Sequence, residues 1–404
     1  MQAQHITEAK HIIDTLTSEY FSGRGVVGEG EKKAALFIAH QFSRMGVEPV
    51  GQDYLQSFQY PINSFSGALN VALDEKTLIP GKDFLVDPKS QKMQGVFEVI
   101  WYTYKNVPTK KQLKKLVRQR FFESKVLVID EWGWDDKTGL LESLKMNTVG
   151  AAGLILIEEE KLTHHLSQTY FDYFQLKVLR SAIKKGAKQI AVHIDQEFLP
   201  AYTSQNVIGQ VTGSEYPDSI IVISAHYDHL GKMGEEVYFP GANDNASGIA
   251  MLLSLADYYT HQNPPTKTIV FMAFGAEESG LVGSKYYTEH PLFPLQKINF
   301  MINVDIMGTG DEGIQVVNGT EFKGQFDQLV QINEREGYLK QVKIRGKAAN
   351  SDHYWFAEKG VPAFFIYTLG GIKAYHDIYD VSSTLPLTEF EDCFKLITGF
   401  VDEL

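Results

Sequence analysis

The chain has a single cysteine, Cys393, among 404 residues. That excludes an internal disulfide framework and any zinc knuckle built on paired thiolates. In the surroundings FEDCFKLI the thiol reads as a small buried hydrophobe on a helix. Positive charge is also short: 38 Lys and Arg stand against 50 Asp and Glu, a net charge of −12. Such a balance argues against nucleic acid and anionic membrane surfaces, and small or peptidic partners are expected instead. No apolar run is long enough to span a bilayer. The opening MQAQHITEAK lacks the charged and apolar regions of a signal peptide. A mature chain left after cleavage, working outside the cytoplasm as a secreted or periplasmic protein, is the expectation.

With 44% hydrophobic and 22% charged residues, the chain can bury a large core, and its length suits two or three domains. Residues 1–67 begin with amphipathic helical pattern, Ile12, Ile13 and Leu16, then Ala35, Leu36, Ile38 and Ala39, interrupted by the turn FSGRGVVGEGEK. Residues 68–201 change to a β-rich texture, VFEVIWYTY, KVLVID and LILIEE, with a helix-like GLLESLKMNTVGAAG, and read as an inserted module. Its basic run TKKQLKKLVRQR reads as a solvated amphipathic helix face, with a partner site as the alternative.

Residues 202–404 alternate strand, loop and helix. SIIVISAH, TIVFMAF, INFMINVD and PAFFIYT are nearly continuous apolar runs, as expected for strands buried on both faces of a mostly parallel sheet. NASGIAMLLSLADYY reads as a helix with Ile249, Leu252, Leu253 and Ala256 on one face, and Ser351–Asp352 as the N-cap signal of another. The predicted architecture is α/β, a mostly parallel twisted sheet between helices, with a β-rich α/β insert.

The ends of those strands carry the chemistry. The first ends in His226 and Asp228, the second runs into Glu277 and Glu278, the third ends in Asp305, and the fourth leads through LGGIKA to Tyr375 and His376. Asp244 lies in the loop PGANDNASG after the first strand. All would emerge at the carboxyl edge of the sheet, where open α/β folds bind ligands. Histidines and carboxylates without thiolates suit Zn²⁺, with Mn²⁺ or Co²⁺ as substitutes. Two cations would relieve the repulsion among the acids, and ions roughly 3.5–4 Å apart call for a bridging carboxylate, for which Asp244 is the candidate. Singly, each residue has an ordinary reading. An EE pair is usually a solvated loop, His-X-Asp a surface hydrogen bond, and Asp244 and Asn245 helix caps. Their joint occurrence at one edge is what favours a site.

In this order and spacing, SAHYDHLG, PGANDNASGIA, FGAEESGLVGS, NVDIMG, SDHYWF and YHDIYD resemble the M28 family of co-catalytic dizinc aminopeptidases. The likeness is strong from about Asn206 to Leu404 and looser over the N-terminal helices. The insert is similar to a protease-associated (PA) domain through ESKVLVID and VGAAGLILIEEEKL. The resemblance implies one zinc held by His226 and Asp305, a second by Glu278 and His376, and Asp244 bridging. It further implies that Glu277 is the general base toward a bridging water, that Asp228 fixes the tautomer of His226, and that the Tyr375 hydroxyl supports the oxyanion. The substrate would be a peptide with a free N-terminus. His229 and His353 are left outside the ligand set, Asp352 and Asp380 read as caps or ligand orienters, and Asn350 stands where some relatives place an arginine. A glutaminyl-cyclase-like acyltransferase with one zinc, a carboxypeptidase variant, and a non-catalytic binding protein are the alternatives.

Overall fold

Along the strand Tyr216–His226, Ile221, Ile223 and Ala225 pack on one face while Ile220 and Val222 pack on the other, the period-two alternation of a pleated strand. Both sets are buried. A strand of this kind belongs in the middle of a sheet covered on both sides. The computed structural model, which describes residues 2–404, places it so. Its parallel neighbours are Lys267–Phe274 and Ile298–Val304, and Ala363–Thr368 pairs parallel with the latter. Antiparallel strands flank this core: Glu197–Val211 beside Lys267–Phe274, and Ile314–Val317 beside Ala363–Thr368. The fold class is the one expected from the sequence, mixed α/β with a mostly parallel sheet and a separate β-rich insertion.

One face of this sheet is covered by the helices Gln2–Leu16, Gly30–Met45, Ser247–His261, Lys323–Glu336 and Phe390–Glu403. On the other face Tyr287, from the helix Val282–Glu289, stacks on Phe356, from His353–Glu358, at 5.6 Å. Ser247–His261 differs from its one-faced reading: Ser247 to Ala256 are all buried. The apolar stripe counted in the sequence was incomplete because Ala250, Met251 and Leu255 fill the remaining faces, the pattern of a helix enclosed on all sides. Cys393 is buried on Phe390–Glu403, as expected.

Register explains why the strand ends meet. His226 pairs with Phe274, Ser224 with Asn303 and Val304 with Ile366, so the parallel strands stop at nearly one level. Residues just beyond them, Glu277, Glu278 and Asp305, therefore share an edge with His226.

The chain divides into two compact units. The larger comprises residues up to Tyr60, Tyr202–Gly231 and Tyr238–Leu404; the smaller comprises Pro61–Ala201 and Lys232–Val237. The smaller unit begins at Pro61, within the strand Leu55–Ser64. Lys232–Val237, a hairpin segment between two of the candidate ligands, also joins the smaller unit. There the Gly234 N–H donates to the Phe65 carbonyl at 2.9 Å, and with φ +72° a Cβ on Gly234 would stand 3.0 Å from Leu69. Nothing in the local composition marks this excursion.

The smaller unit is built on an eight-stranded sheet whose central strands, Met93–Tyr102, Lys125–Ile129, Gly153–Glu158 and Phe174–Leu179, run parallel. The basic run forms the helix Lys110–Arg118, opened by a reciprocal capping box between Thr109 and Gln112, with only Leu113 buried. No described helix is long and apolar enough to cross a membrane.

Candidate metal centre

His226 leaves its strand with the ring fully buried. Its Nε2 lies 3.2 Å from Asp305 Oδ1 and 3.3 Å from Asp244 Oδ1. The other ring nitrogen, Nδ1, is 3.1 Å from the Asp228 carbonyl and 3.7 Å from its carboxylate. Asp228 thus reaches the imidazole through its main chain, whereas its carboxylate accepts the N–H groups of Glu277 at 3.0 Å and Glu278 at 3.2 Å. The Asp228 carboxylate thus also fixes the glutamate turn, its two backbone donors lying closer to it than the ring does.

Asp244 has the pivotal position. While Oδ1 faces His226, Oδ2 lies 3.1 Å from His376 Nε2. That nitrogen is also 3.2 Å from Glu278 Oε2, and Glu278 Oε1 accepts from His229 Nδ1 at 2.7 Å. Two groups with ligand atoms all within 4.8 Å of one another result, His226–Asp244–Asp305 and His229–Asp244–Glu278, sharing Asp244. His229, set aside on sequence grounds, therefore belongs to the cluster. Its contact with Glu278 bridges two motifs far apart in the chain, so only the fold reveals it.

The loops are fastened to one another by side chains that the motifs contain without advertising. Asn243 Oδ1, Asn245 Oδ1 and Ser247 Oγ accept the N–H groups of Gly308, Ile306 and Met307 at 2.9, 3.0 and 2.8 Å, tying GANDNASG to NVDIMG. Asn245 Oδ1 also accepts from Gly248 N–H at 2.9 Å, a helix-capping bond as expected. Asp380 accepts the N–H groups of Asn243 and Asp244 at 2.9 and 3.0 Å and so orients the Asp244 loop. Asp305 is held from behind by a buried relay, Ser351 Oγ donating to its Oδ2 at 2.9 Å, Asn303 Nδ2 donating to Ser351 Oγ at 2.7 Å, and Ser224 Oγ donating to Asn303 Oδ1 at 2.6 Å. Beneath the glutamate turn, buried Glu31 accepts from Ala276 N–H at 3.1 Å and Ser204 Oγ at 2.5 Å. Asp352 is not the cap its sequence suggested: it makes no capping hydrogen bond to its helix and is fully buried. His353 is also buried, against Phe365 and apart from the ligand cluster, and burial pushes its imidazole down to about 4.

His226, Asp244, Glu277, Glu278, Asp305 and His376 open on a cavity of about 210 Å³ whose remaining wall includes Ile306, Asn350, Phe365, Tyr367 and Tyr375. Tyr375 stands at the rim, 46% exposed, its ring stacked on His376 at 4.0 Å. Burial and the surrounding carboxylates raise its phenol, so the hydroxyl keeps its proton at neutral pH.

Imidazolium offsets part of the cluster's carboxylate charge within the chain. Burial opposes protonation of His226, but Asp305, Glu277 and its hydrogen bonds carry it well above the usual histidine range. His376 is opposed in the same way by burial and lifted by Glu278 and Asp244 to about 11. The adjacent glutamates separate: burial raises Glu277 well above the carboxylate range, with Glu278 and Asp352 adding to it, whereas for Glu278 the histidine contacts outweigh burial and Asp244 and bring it down to about 2. Neighbouring carboxyls pushed in opposite directions mark different chemical roles. Converging nitrogen and oxygen donors, an excess of buried carboxylate and no sulfur fit divalent cations of the zinc type.

The sequence profile of peptidase family M28 matches residues 206–401, just under half of the chain. Aminopeptidase YwaD of Bacillus subtilis is 34% identical over 168 residues, 39% of this chain and 34% of its own length. A probable zinc metalloprotease of Pyrenophora teres f. teres is 38% identical over 115 residues, 28% of this chain and 24% of its own. The matched segment thus spans about a third or less of these curated relatives. Among solved structures, BSAP, a zinc aminopeptidase from Bacillus subtilis, superposes with a TM-score of 0.73 at 20% identity, covering 98% of this chain and 94% of that one. A peptidase M28 precursor from Shewanella amazonensis gives 0.73 at 18% identity, with 99% and 96% covered. At such identities the superpositions establish a shared fold over the full length. The segment that matches the profile of peptidase family M28, residues 206–401, contains His226, Asp244, Glu278, Asp305 and His376.

Proposed function

We propose that the chain is a zinc aminopeptidase in which His226 and Asp305 hold one ion, Glu278 and His376 a second, and Asp244 is shared. The observation that carries this reading is the orientation of Asp244, with one carboxylate oxygen facing His226 and the other facing His376. Bound there, zinc would supply Lewis acidity toward a peptide carbonyl and make a coordinated water acidic enough to attack at neutral pH.

The chain's own groups account for the remainder. Glu277 lines the same cavity and is raised rather than lowered by its surroundings, which suits a group that takes the proton of the attacking water and returns it to the leaving nitrogen. Carbon–nitrogen cleavage and carbon–oxygen bond formation then leave Glu277 as it began. Tyr375 keeps its hydroxyl protonated beside the cavity and can donate to the oxyanion as it develops. The carboxylates lining the cavity, Asp244, Glu277, Glu278 and Asp305, would attract the free ammonium group of a peptide N-terminus, which favours exopeptidase action.

Metal content per chain and release of arylamine from aminoacyl-arylamides, before and after chelation and zinc restoration, test the reading. Two zinc ions and chelator-sensitive release are expected. One zinc with cyclisation of an N-terminal glutaminyl peptide would instead assign an acyltransferase, and neither metal nor turnover would leave a binding role.

A further inference from the structure

Among the largest side chains fully buried in the described residues is an arginine. Arg24, in the N-terminal segment FSGRG, has no exposed surface. A guanidinium has five N–H groups in a fixed fork. Here all five meet main-chain carbonyls: Nε donates to Tyr227 at 2.8 Å, Nη1 to Leu16 at 3.2 Å and Pro240 at 2.6 Å, and Nη2 to Gly241 at 2.8 Å and Asp244 at 3.3 Å.

Two aspects of this fork bear on the metal centre. The first is which carbonyls it selects. Tyr227 follows His226, Asp244 is the shared carboxylate residue, and Pro240 and Gly241 lead into it, so one planar group spans the two loops whose side chains must meet. The backbone reinforces the same junction, with His229 N–H donating to the Arg24 carbonyl at 3.2 Å and Gly231 N–H to that of Gly23 at 3.0 Å. A Cβ on Gly25 would stand 2.4 Å from the Gly231 Cα, so the two segments touch backbone to backbone.

The second is charge. No carboxylate is among the hydrogen-bond partners, yet Asp244, Asp380, Asp228 and Glu278 all act on the guanidinium through space. A guanidinium stays cationic at neutral pH even when buried. An unpaired buried cation is costly unless nearby anions compensate it, and the anions here are the metal-site carboxylates.

We propose that Arg24 is a positioning residue for the metal centre, setting the spacing of His226 and Asp244 and providing a fixed positive charge around which the site's carboxylates gather. The proposal rests on the zinc reading above. It is tested by zinc affinity, measured by chelator competition, in wild type, Arg24→Lys and Arg24→Met. Lysine retains the charge but has only three donors, and methionine lacks both. Affinity is expected to fall about 10- to 100-fold, the range typical of groups that orient metal ligands, with methionine the weaker binder. The absorption spectrum of the cobalt-loaded variants should shift with it, and free guanidinium should recover zinc binding by Arg24→Ala where ammonium does not.

A wild-type chain that binds no zinc would remove the zinc reading itself. If wild type binds zinc, folded variants with unchanged affinity overturn the role of Arg24, even if they melt at lower temperature. Failure of both variants to fold in saturating zinc would overturn it too, assigning Arg24 to the fold alone.

Discussion

Glu277 and Glu278 are neighbours in the chain and opposites in environment. Glu278 is hydrogen-bonded by His229 and faces His376, while Glu277 has carboxylates around it and a single opposing imidazole. Glu277→Gln should therefore retain both ions and lose about 10²- to 10⁴-fold in kcat; turnover near wild type in a zinc-replete variant would remove it from proton transfer. His229→Phe, which cannot hydrogen-bond Glu278, should weaken the second ion selectively, and His229→Asn should recover part of the loss; zinc stoichiometry under limiting chelator separates them. Because His226 and His376 are held protonated by the carboxylates around them, zinc must displace protons. Affinity should fall as pH falls, with about two protons released per loaded chain near pH 7, counted by calorimetry in buffers of different ionisation enthalpy. Release of none would mean neutral imidazoles. The convergence of His226, Asp244, Glu278, Asp305 and His376 could be anticipated because each stands inside a local motif at a strand end or in the loop that follows one. Arg24, His229 and Ser351 were not, since their partners lie in other segments and a sequence carries no sign of which carbonyl or carboxylate an isolated polar residue will meet.

At the level of elements, long apolar runs declared the central strands, and their common direction placed the strand ends together. Burial, in contrast, was misread where residues of several kinds share it: Ala250 and Ser254 on the helix Ser247–His261 look neutral in a periodicity count yet are enclosed, and Asp352 looks like a cap yet is buried beside the site. In the smaller unit, two parallel strand ends are joined by charge. Asp130, after Lys125–Ile129, accepts from Arg180, after Phe174–Leu179, through two bonds of 2.7 and 3.2 Å. The hydrogen bonds from Arg180 hold the Asp130 carboxyl below its ordinary value, against the effect of burial. A depressed native value means that the pair stabilises above the unfolded Asp value, about 3.9, and that this is lost as pH falls through the lowered native one. Asp130→Asn should cost about 1 kcal/mol at pH 6, given that Arg180 is partly solvated. The difference from wild type should shrink below about pH 4. Denaturant titrations at both pH values check it; a difference that does not change with pH would assign the effect to packing.

Over the whole molecule, the sequence announced an insert by its change of texture, and the structure adds that the chain enters the smaller unit a second time. Between His226 and Asp244 it makes the hairpin segment Lys232–Val237, whose tip residues Glu235 and Glu236 are exposed. No composition shift accompanies so short a visit, which is why it could not be read. Its consequence is that the centre can be cut in two without touching a ligand. Expressed as separate polypeptides, 1–235 would contribute Arg24 and His226, and 236–404 would contribute Asp244, Glu277, Glu278, Asp305 and His376. Neither half has a complete site, so arylamide hydrolysis should be absent from each and return on mixing with zinc. The protein would then report the meeting of its own two fragments.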